Sequence, residues 1–232
     1  MADRTRVIRF VVKPVVFLAA LGPVVYLTWA FLTNHLSANP LSDVTNETGV
    51  WTLRFVCITL LVTPLRYITG WNVLIRFRRM AGLYAFFYGT LHFLTYLILD
   101  RLAGLVDFPD GIVSWTTVVN VVKSSIGDIA MRPFITVGFT AFVLMIPLAI
   151  TSTTGWIRRL GGKRWALLHR LVYATAIAGV VHYWWLVKSD IRRPMTYGAI
   201  VAILLGFRLY KKLRSSRSKA PVRLKPDATT IQ

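Results

Sequence analysis

Three histidines lie inside strongly apolar stretches of this chain of 232 residues. They are His92, His169 and His182, whereas the fourth histidine, His35, lies beside Asn34 and is interpreted as an interfacial residue. For one such histidine taken alone, a hydrogen bond between helices is an equally good explanation. Three together favour a ligand role, because neutral imidazole binds metal ions and haem iron through a ring nitrogen.

The composition indicates a membrane protein. Hydrophobic residues make up 55% of the chain, charged residues only 16%, and the mean hydropathy is +0.57. A net charge of +19 would suggest nucleic acid for a soluble chain, but here the basic residues lie between apolar runs, as in cytoplasmic loops. Nucleic acid is therefore excluded as a partner. The single cysteine, Cys57, excludes an internal disulfide, a cysteine-rich metal site and covalent haem attachment.

Six apolar runs are predicted to cross the membrane as helices, which makes the fold class an all-α six-helix transmembrane bundle. The first run is interpreted as a retained span rather than a signal peptide. Most of the 28 Lys and Arg residues lie on the side of the two termini, so both termini are predicted to be cytoplasmic. The predicted spans are 14–32, 51–65, 80–99, 133–151, 165–187 and 194–207.

Two of the histidines are predicted to lie at the same depth in the membrane. If the third and fifth spans start near the same face, His92 is level with His182, and Arg79 is level with His169. A haem held by two imidazoles needs one histidine from each of two facing helices at the same depth. The pair His92 and His182 is therefore predicted to bind haem iron. His169 has no histidine at its depth and would contribute to a second site at most.

Helix geometry limits the alternatives for these histidines. On one ideal helix, His169 and His182 are about 20 Å apart along the axis and about 140° apart around it. A zinc or copper ion is the alternative to haem as the group that these histidines bind. The distance of about 20 Å, however, prevents His169 and His182 from binding the same ion. A porphyrin or two separate sites is therefore favoured. Periodicity alone does not put both histidines on one face.

Three arginines, Arg76, Arg78 and Arg79, precede the third predicted span. Composition alone favours a structural interpretation, in which arginines on the cytoplasmic side contact lipid headgroups. The functional alternative is a site for an anionic cofactor such as a flavin phosphate. Arginine offers a bidentate fork for phosphate, and a helix start adds backbone N–H donors.

The chain is predicted to contain three parts. Residues 1–13 form a basic cytoplasmic arm, residues 14–210 form the membrane domain, and residues 211–232 form a disordered basic tail near anionic lipid. An outer connection covers about residues 100–132. Its segment 112–122 is rich in Ile, Val and Trp, which is compatible with an interfacial helix or a short strand.

An ordered set of motifs resembles a known family, the MsrQ (YedZ) haem-binding membrane subunits of bacterial methionine sulfoxide reductase systems. That family belongs to the ferric-reductase-like transmembrane group, together with the NADPH oxidases. The likeness runs from about Leu41 to Phe207. The motifs are Thr69-Gly70-Trp71, Arg78-Arg79-Met80, Leu91-His92-Phe93, segment 132–138, Thr151-Ser152 with Gly155-Trp156, segment 165–173, and segment 182–188.

The resemblance implies an electron conduit of the bacterial inner membrane that contains one or two b-type haems and FMN. Its haem histidines fall on His92, His169 and His182, and its flavin-associated arginines on Arg78 and Arg79. Electrons would come from a cytoplasmic flavin reductase or the quinone pool. They would pass to a periplasmic molybdopterin reductase (MsrP-like) that repairs oxidised proteins. Where NADPH oxidases have two histidines on each ligand helix, this sequence has Arg79 at about the missing position.

The sequence contains no G-x-G-x-x-G dinucleotide-binding motif after a strand, so the chain is predicted to need a separate electron donor. It is interpreted as an electron-transfer subunit rather than the catalytic subunit of a reductase. Two alternatives remain. One is a ferric or oxygen reductase of the same fold, and the other is a non-redox scaffold or transporter whose histidines hold helices together.

Overall fold

The computed structural model describes residues 6–98, 115–187 and 189–217, and all regular secondary structure in these ranges is helical. A π-helical turn, Ile8–Val12, leads into the first α-helix, and a 3-10 turn, Asn72–Leu74, precedes the third. The α-helices are α1 (Lys13–Leu32), α2 (Pro40–Thr69), α3 (Ile75–Thr95), α4 (Trp115–Met131), α5 (Pro133–Ile150), α6 (Thr154–Leu168), α7 (Leu171–Leu186) and α8 (Arg192–Arg217).

Four helical segments of the described chain are long and apolar enough to cross a membrane: Ile8–Leu32, Pro40–Thr69, Asn72–Ile98 and Pro133–Ile150. They contain the first two predicted spans in full, and the third and fourth except for the last residue of each. Helix α7 is apolar but shorter. The all-helical class of the described residues is as predicted from the sequence.

The second span is longer than predicted because its ends are polar. The helix begins at Pro40, where the Asn39 side chain accepts a hydrogen bond from the Ser42 backbone at 3.2 Å. It ends at Thr69, and the next residue, Gly70, caps it with a left-handed φ of 73° that glycine adopts without strain. Hydropathy detects only the apolar middle of this helix, whereas capping determines where it begins and ends.

The outer connection contains α4, so the choice between helix and strand is decided in favour of a helix. Arg132 follows the helix directly, and its Nε lies 3.3 Å from an Asp128 carboxylate oxygen. The hydroxyl of Thr136, on α5, donates to the Ile129 carbonyl. These contacts attach the end of α4 to the start of α5. The rest of the connection, residues 99–114, lies outside the described residues.

The fifth predicted span is wrong at its start. Residues 165–168 belong to α6, the chain turns at His169 and Arg170, and the apolar helix α7 begins only at Leu171. Gly161 has a φ of 72° inside α6, which kinks that helix. His169 and His182 therefore do not share one helix, and the predicted angle of about 140° between them does not apply.

Helix α8 runs past the predicted end of the sixth span and past the predicted start of the tail at residue 211. The basic sequence beyond Phe207 continues the helix, because Lys and Arg have good helix propensity. A disordered tail cannot therefore begin at residue 211. Residues 218–232, where most of the predicted tail falls, lie outside the described residues.

Two helix pairs form the centre of the structure, since α2 packs mainly on α3 and α5 packs mainly on α7. In the first pair, Phe55 stacks on Tyr84 and Tyr88 with ring centroids 5.3 Å apart in both cases. The two tyrosine hydroxyls donate to backbone carbonyls of α1, at Phe17 and Ala20. This core holds α2 and α3 in register, and a cavity lies between the two pairs.

Candidate functional site

A cavity of about 1010 Å³ lies between helices α2, α3, α5 and α7. His92 lines it from α3 and His182 lines it from α7. The sequence places His92 in the third predicted span and His182 in the fifth. The predicted pair of histidines therefore lines a single cavity.

The rings of His92 and His182 are in contact across this cavity. Their centroids are 6.1 Å apart and their planes are inclined at 72°. The two side chains therefore lie at the same depth, as counting along the helices predicts. A ring nitrogen lies about 2 Å from a bound metal ion, so two imidazoles on opposite sides of one ion have ring centres about 6 Å apart. The observed distance fits that arrangement.

Each histidine is oriented by a backbone carbonyl of the opposite helix in its pair. Nδ1 of His92 donates to the Thr45 carbonyl at 2.8 Å, and Nδ1 of His182 donates to the Phe134 carbonyl at 2.7 Å. A carbonyl can only accept, so in each neutral ring Nδ1 carries the proton and Nε2 keeps its lone pair. Such a bond from the second nitrogen is typical of metal-binding histidines.

Two glycines provide the space for the imidazole rings. A Cβ atom added to Gly138 would lie 2.6 Å from Nδ1 of His182, and one added to Gly49 would lie 2.9 Å from Cε1 of His92. Any larger residue would therefore displace the ring that it faces. Each glycine lies four residues after the carbonyl that orients the same histidine.

These features fit an iron porphyrin better than a closed metal centre. Among the described residues, no group of three or more His, Cys, Asp or Glu side chains could surround an ion. Two imidazoles are sufficient for haem, because the macrocycle supplies the other ligands. The cavity also contains a buried polar atom, the Thr175 hydroxyl, which has no hydrogen-bond partner in the protein. His92 and His182 are the residues that could hold the iron.

His169 lies away from this cavity, in the turn between α6 and α7. Its ring stacks on Trp165 with centroids 4.0 Å apart, and its Nε2 is 3.2 Å from the Thr151 hydroxyl. Among the described residues, it belongs to no group of three or more His, Cys, Asp or Glu side chains that could hold a metal ion. It also interacts electrostatically with Arg78, so the beginning of α3 and the beginning of α7 are at the same end of the bundle.

The two arginines proposed for flavin differ in their surroundings. Arg78 is half-buried and interacts electrostatically with both His169 and Arg208, whereas Arg79 is exposed. Arg208 donates from its two terminal nitrogens to the carbonyls of Leu204 and Leu60. Arg78, His169 and Arg208 thus form a cluster of basic side chains, which we call the basic cluster. Such a cluster could bind an anion.

Comparison with known proteins gives the family. Residues 48–180 match the family described as "Ferric reductase like transmembrane component". A relative from Xanthomonas oryzae pv. oryzae is 48% identical over 94% of this chain and 95% of its own length. A relative from Ralstonia nicotianae is 51% identical over 90% of this chain and 89% of its own length. Each is described as "Protein-methionine-sulfoxide reductase heme-binding subunit MsrQ".

The chain belongs to the MsrQ family. A further MsrQ relative, from Herminiimonas arsenicoxydans, is 50% identical over 86% of this chain and 84% of its own length. No solved structure matches the chain significantly. The family resemblance inferred from the motifs is confirmed.

The sequence assigned no role to several residues that line this cavity. Gly49 and Gly138 could have been found as glycines inside apolar helical runs, where glycine costs stability and so needs a packing reason. Arg132 and Arg193 line the same cavity, but the sequence assigned neither of them a role at the haem; both were counted as charges of the outer connections, and Arg132 also begins the motif 132–138. The carbonyls of Thr45 and Phe134 leave no signal in the sequence, because every residue has one.

Proposed function

We propose that this protein is a transmembrane electron-transfer subunit that binds a b-type haem between His92 and His182. The observation that carries the proposal is the pair of facing imidazoles, 6.1 Å apart, each with Nε2 available for iron. The relatives' description as haem-binding subunits supports it. When bound, haem supplies a one-electron iron couple.

The chain's own residues hold and shield this group. The two carbonyl contacts make Nδ1 the protonated nitrogen of each neutral ring and orient the ring, so little rearrangement is needed on binding. Apolar side chains such as Phe93, Phe139 and Phe142 line the cavity and exclude water. The stacked rings of Phe93 and Phe142, with centroids 5.2 Å apart, hold α3 against α5 beside the site.

We further propose that the protein crosses the inner membrane six times with both termini in the cytoplasm. The four long apolar segments supply four spans, and α7 with the apolar first part of α8 would supply the other two. The distribution of Lys and Arg supports this orientation. It puts the basic cluster at the cytoplasmic end and the histidine pair toward the periplasm.

Electron input is proposed at the basic cluster. FMN bound near Arg78 and Arg79 would receive electrons from a cytoplasmic flavin reductase, and the quinone pool is the alternative donor. His169 is the proposed ligand of a second haem at this end. The acceptor is proposed to be a periplasmic molybdopterin reductase for oxidised methionine, which is consistent with the relatives' description as reductase subunits.

Replacing Arg78 and Arg79 together by alanine is expected to lower flavin retention and the rate of cytoplasmic electron input without removing the haem spectrum. The reason is that both side chains lie at the start of α3, whereas His92 lies near its end. Flavin fluorescence of the purified protein and the rate of haem reduction measure the two effects. Arg76→Ala removes an exposed charge from the same turn and serves as the control. Loss of haem and flavin together would indicate a structural role for these arginines.

The proposed function is tested by an absorption spectrum of the purified full-length protein, oxidised and then reduced with dithionite. We expect a low-spin spectrum that shifts on reduction, and faster reoxidation by a periplasmic methionine sulfoxide reductase than by ferric chelates or oxygen. Faster reaction with a chelate or oxygen would indicate a reductase of another specificity. A colourless protein, produced with iron and haem available, would indicate a scaffold or transporter.

A further inference from the structure

The cavity that contains the two histidines has one polar, charged end and one mainly apolar end without charged side chains. The polar end lies where α2 and α5 begin and α3 and α7 end. Val56, Ala141 and Met145 line the opposite end, deeper along α2 and α5, together with Thr175 near the start of α7. The side chains that line the polar end are Asn39, Ser42, Asn46, Tyr96, Arg132 and Arg193.

Two arginines contribute the positive charge at the polar end. Arg132 pairs with Asp128 through Nε at 3.3 Å, and its side chain is 55% exposed. Arg193 interacts electrostatically with Tyr183, the residue next to His182. A guanidinium has five N–H donors, so each arginine keeps donors for a further anion. Glu47 is the acid that lines this cavity in the described chain.

The chemistry of haem b makes this asymmetry informative. The macrocycle carries two propionate carboxylates on one edge, and its opposite edge is apolar. Carboxylates are strongly disfavoured in an apolar environment unless they are paired and hydrogen-bonded. Arginine pairs with carboxylate through two parallel hydrogen bonds. The carboxylate edge therefore belongs at the polar end, where the two guanidinium groups are.

We propose that Arg132 and Arg193 bind the two propionates and thereby set the orientation of the haem between His92 and His182. This inference rests on the proposed function, because it requires a haem in the cavity. The two arginines would act as positioning residues and would make the site selective for macrocycles that carry two carboxylates. The carboxylate edge would then lie at the end of the cavity nearest to α4.

The test compares haem with haem dimethyl ester, in which both carboxylates are neutral. The full-length protein in nanodiscs is freed of haem and titrated with each macrocycle, and binding is followed by the low-spin absorption. We expect the wild type to bind haem about 10- to 100-fold more tightly than the ester, which corresponds to one or more charge-assisted hydrogen bonds. In the double variant Arg132→Met with Arg193→Met, this preference should fall to near unity while ester binding is retained.

Matched controls separate recognition from structure. Arg192→Met removes an exposed neighbouring charge that does not line the cavity, and it should keep the wild-type preference. Arg193→Lys should keep part of the preference, because lysine retains the charge but not the bidentate fork. If the double variant does not fold, the Arg132→Met and Arg193→Met single variants should each show an intermediate preference.

Three results would overturn the proposal: equal binding of haem and ester by the wild type, an unchanged preference in the arginine variants, or the same loss in Arg192→Met. If the wild type binds neither macrocycle with a low-spin spectrum, the proposed function itself fails. Low-spin binding without any preference contradicts only the role of the arginines. The two failures are therefore distinguishable.

Discussion

Replacing either His92 or His182 by alanine is expected to abolish the low-spin haem spectrum. Each imidazole supplies one of the two protein ligands that the iron would have, and no other histidine of the described chain lies beside the pair. The iron should become five-coordinate and high-spin, or the haem should be lost. Absorption spectra of the purified variants, with haem measured per protein, provide the test.

His169→Ala is the comparison for this experiment. Its ring stacks on Trp165 outside the cavity, so its removal should leave the main low-spin signal and reduce the total haem only in part. Added imidazole should restore low-spin absorption in His92→Ala and His182→Ala, because a free ligand can enter the space left by the ring. If both alanine variants keep the low-spin spectrum without added imidazole, the proposed ligand pair is wrong.

Gly138→Ala is expected to weaken haem binding about 10- to 100-fold, although both histidine ligands of the iron remain in this variant. The new methyl group would lie 2.6 Å from Nδ1 of His182, closer than side-chain carbons approach other atoms. The ring would have to leave the Phe134 carbonyl that orients it. Titration of haem-free protein in nanodiscs measures the loss, and thermal unfolding monitored by circular dichroism reports on the fold.

The matched control for Gly138→Ala is Gly206→Ala in α8. A Cβ atom added at Gly206 meets nothing within 4 Å, so this variant should bind haem normally. Its helix should be stabilised by about 0.5–1 kcal/mol, the usual advantage of alanine over glycine inside a helix. Normal haem binding by Gly138→Ala would contradict the proposed need for space at this position. If Gly138→Ala unfolds while Gly206→Ala remains folded, Gly138 is needed for helix packing rather than for haem binding.

The sequence predicts the apolar middle of each membrane helix better than its ends. The fourth span was predicted at 133–151 and the helix is Pro133–Ile150, because a proline at the start and a polar turn at the end delimit it. The fifth span was predicted to begin at residue 165, but the chain turns at His169 before α7. Hydropathy does not distinguish one long helix from two helices joined by a turn.

The turn at His169 and Arg170 explains why His169 and His182 need not face the same side of one helix. On one continuous helix, His169 and His182 would face different directions, which weakens any argument that both belong to cofactor sites. The break at His169 frees its ring to stack on Trp165 at the other end of the bundle. The depth of His92 and His182 could be counted from the sequence. The contact between their rings depends on how the two helix pairs pack.

Composition and residue order alone establish an apolar, basic, helical chain of the MsrQ family with two histidines at one depth. These properties depend on local hydropathy and on helix rise, which are read directly along the chain. The contacts of Nδ1 with Thr45 and Phe134, and the approach of Gly49 and Gly138 to the rings, depend on tertiary packing. They join residues more than forty positions apart, and their distances are determined only when the helices pack together.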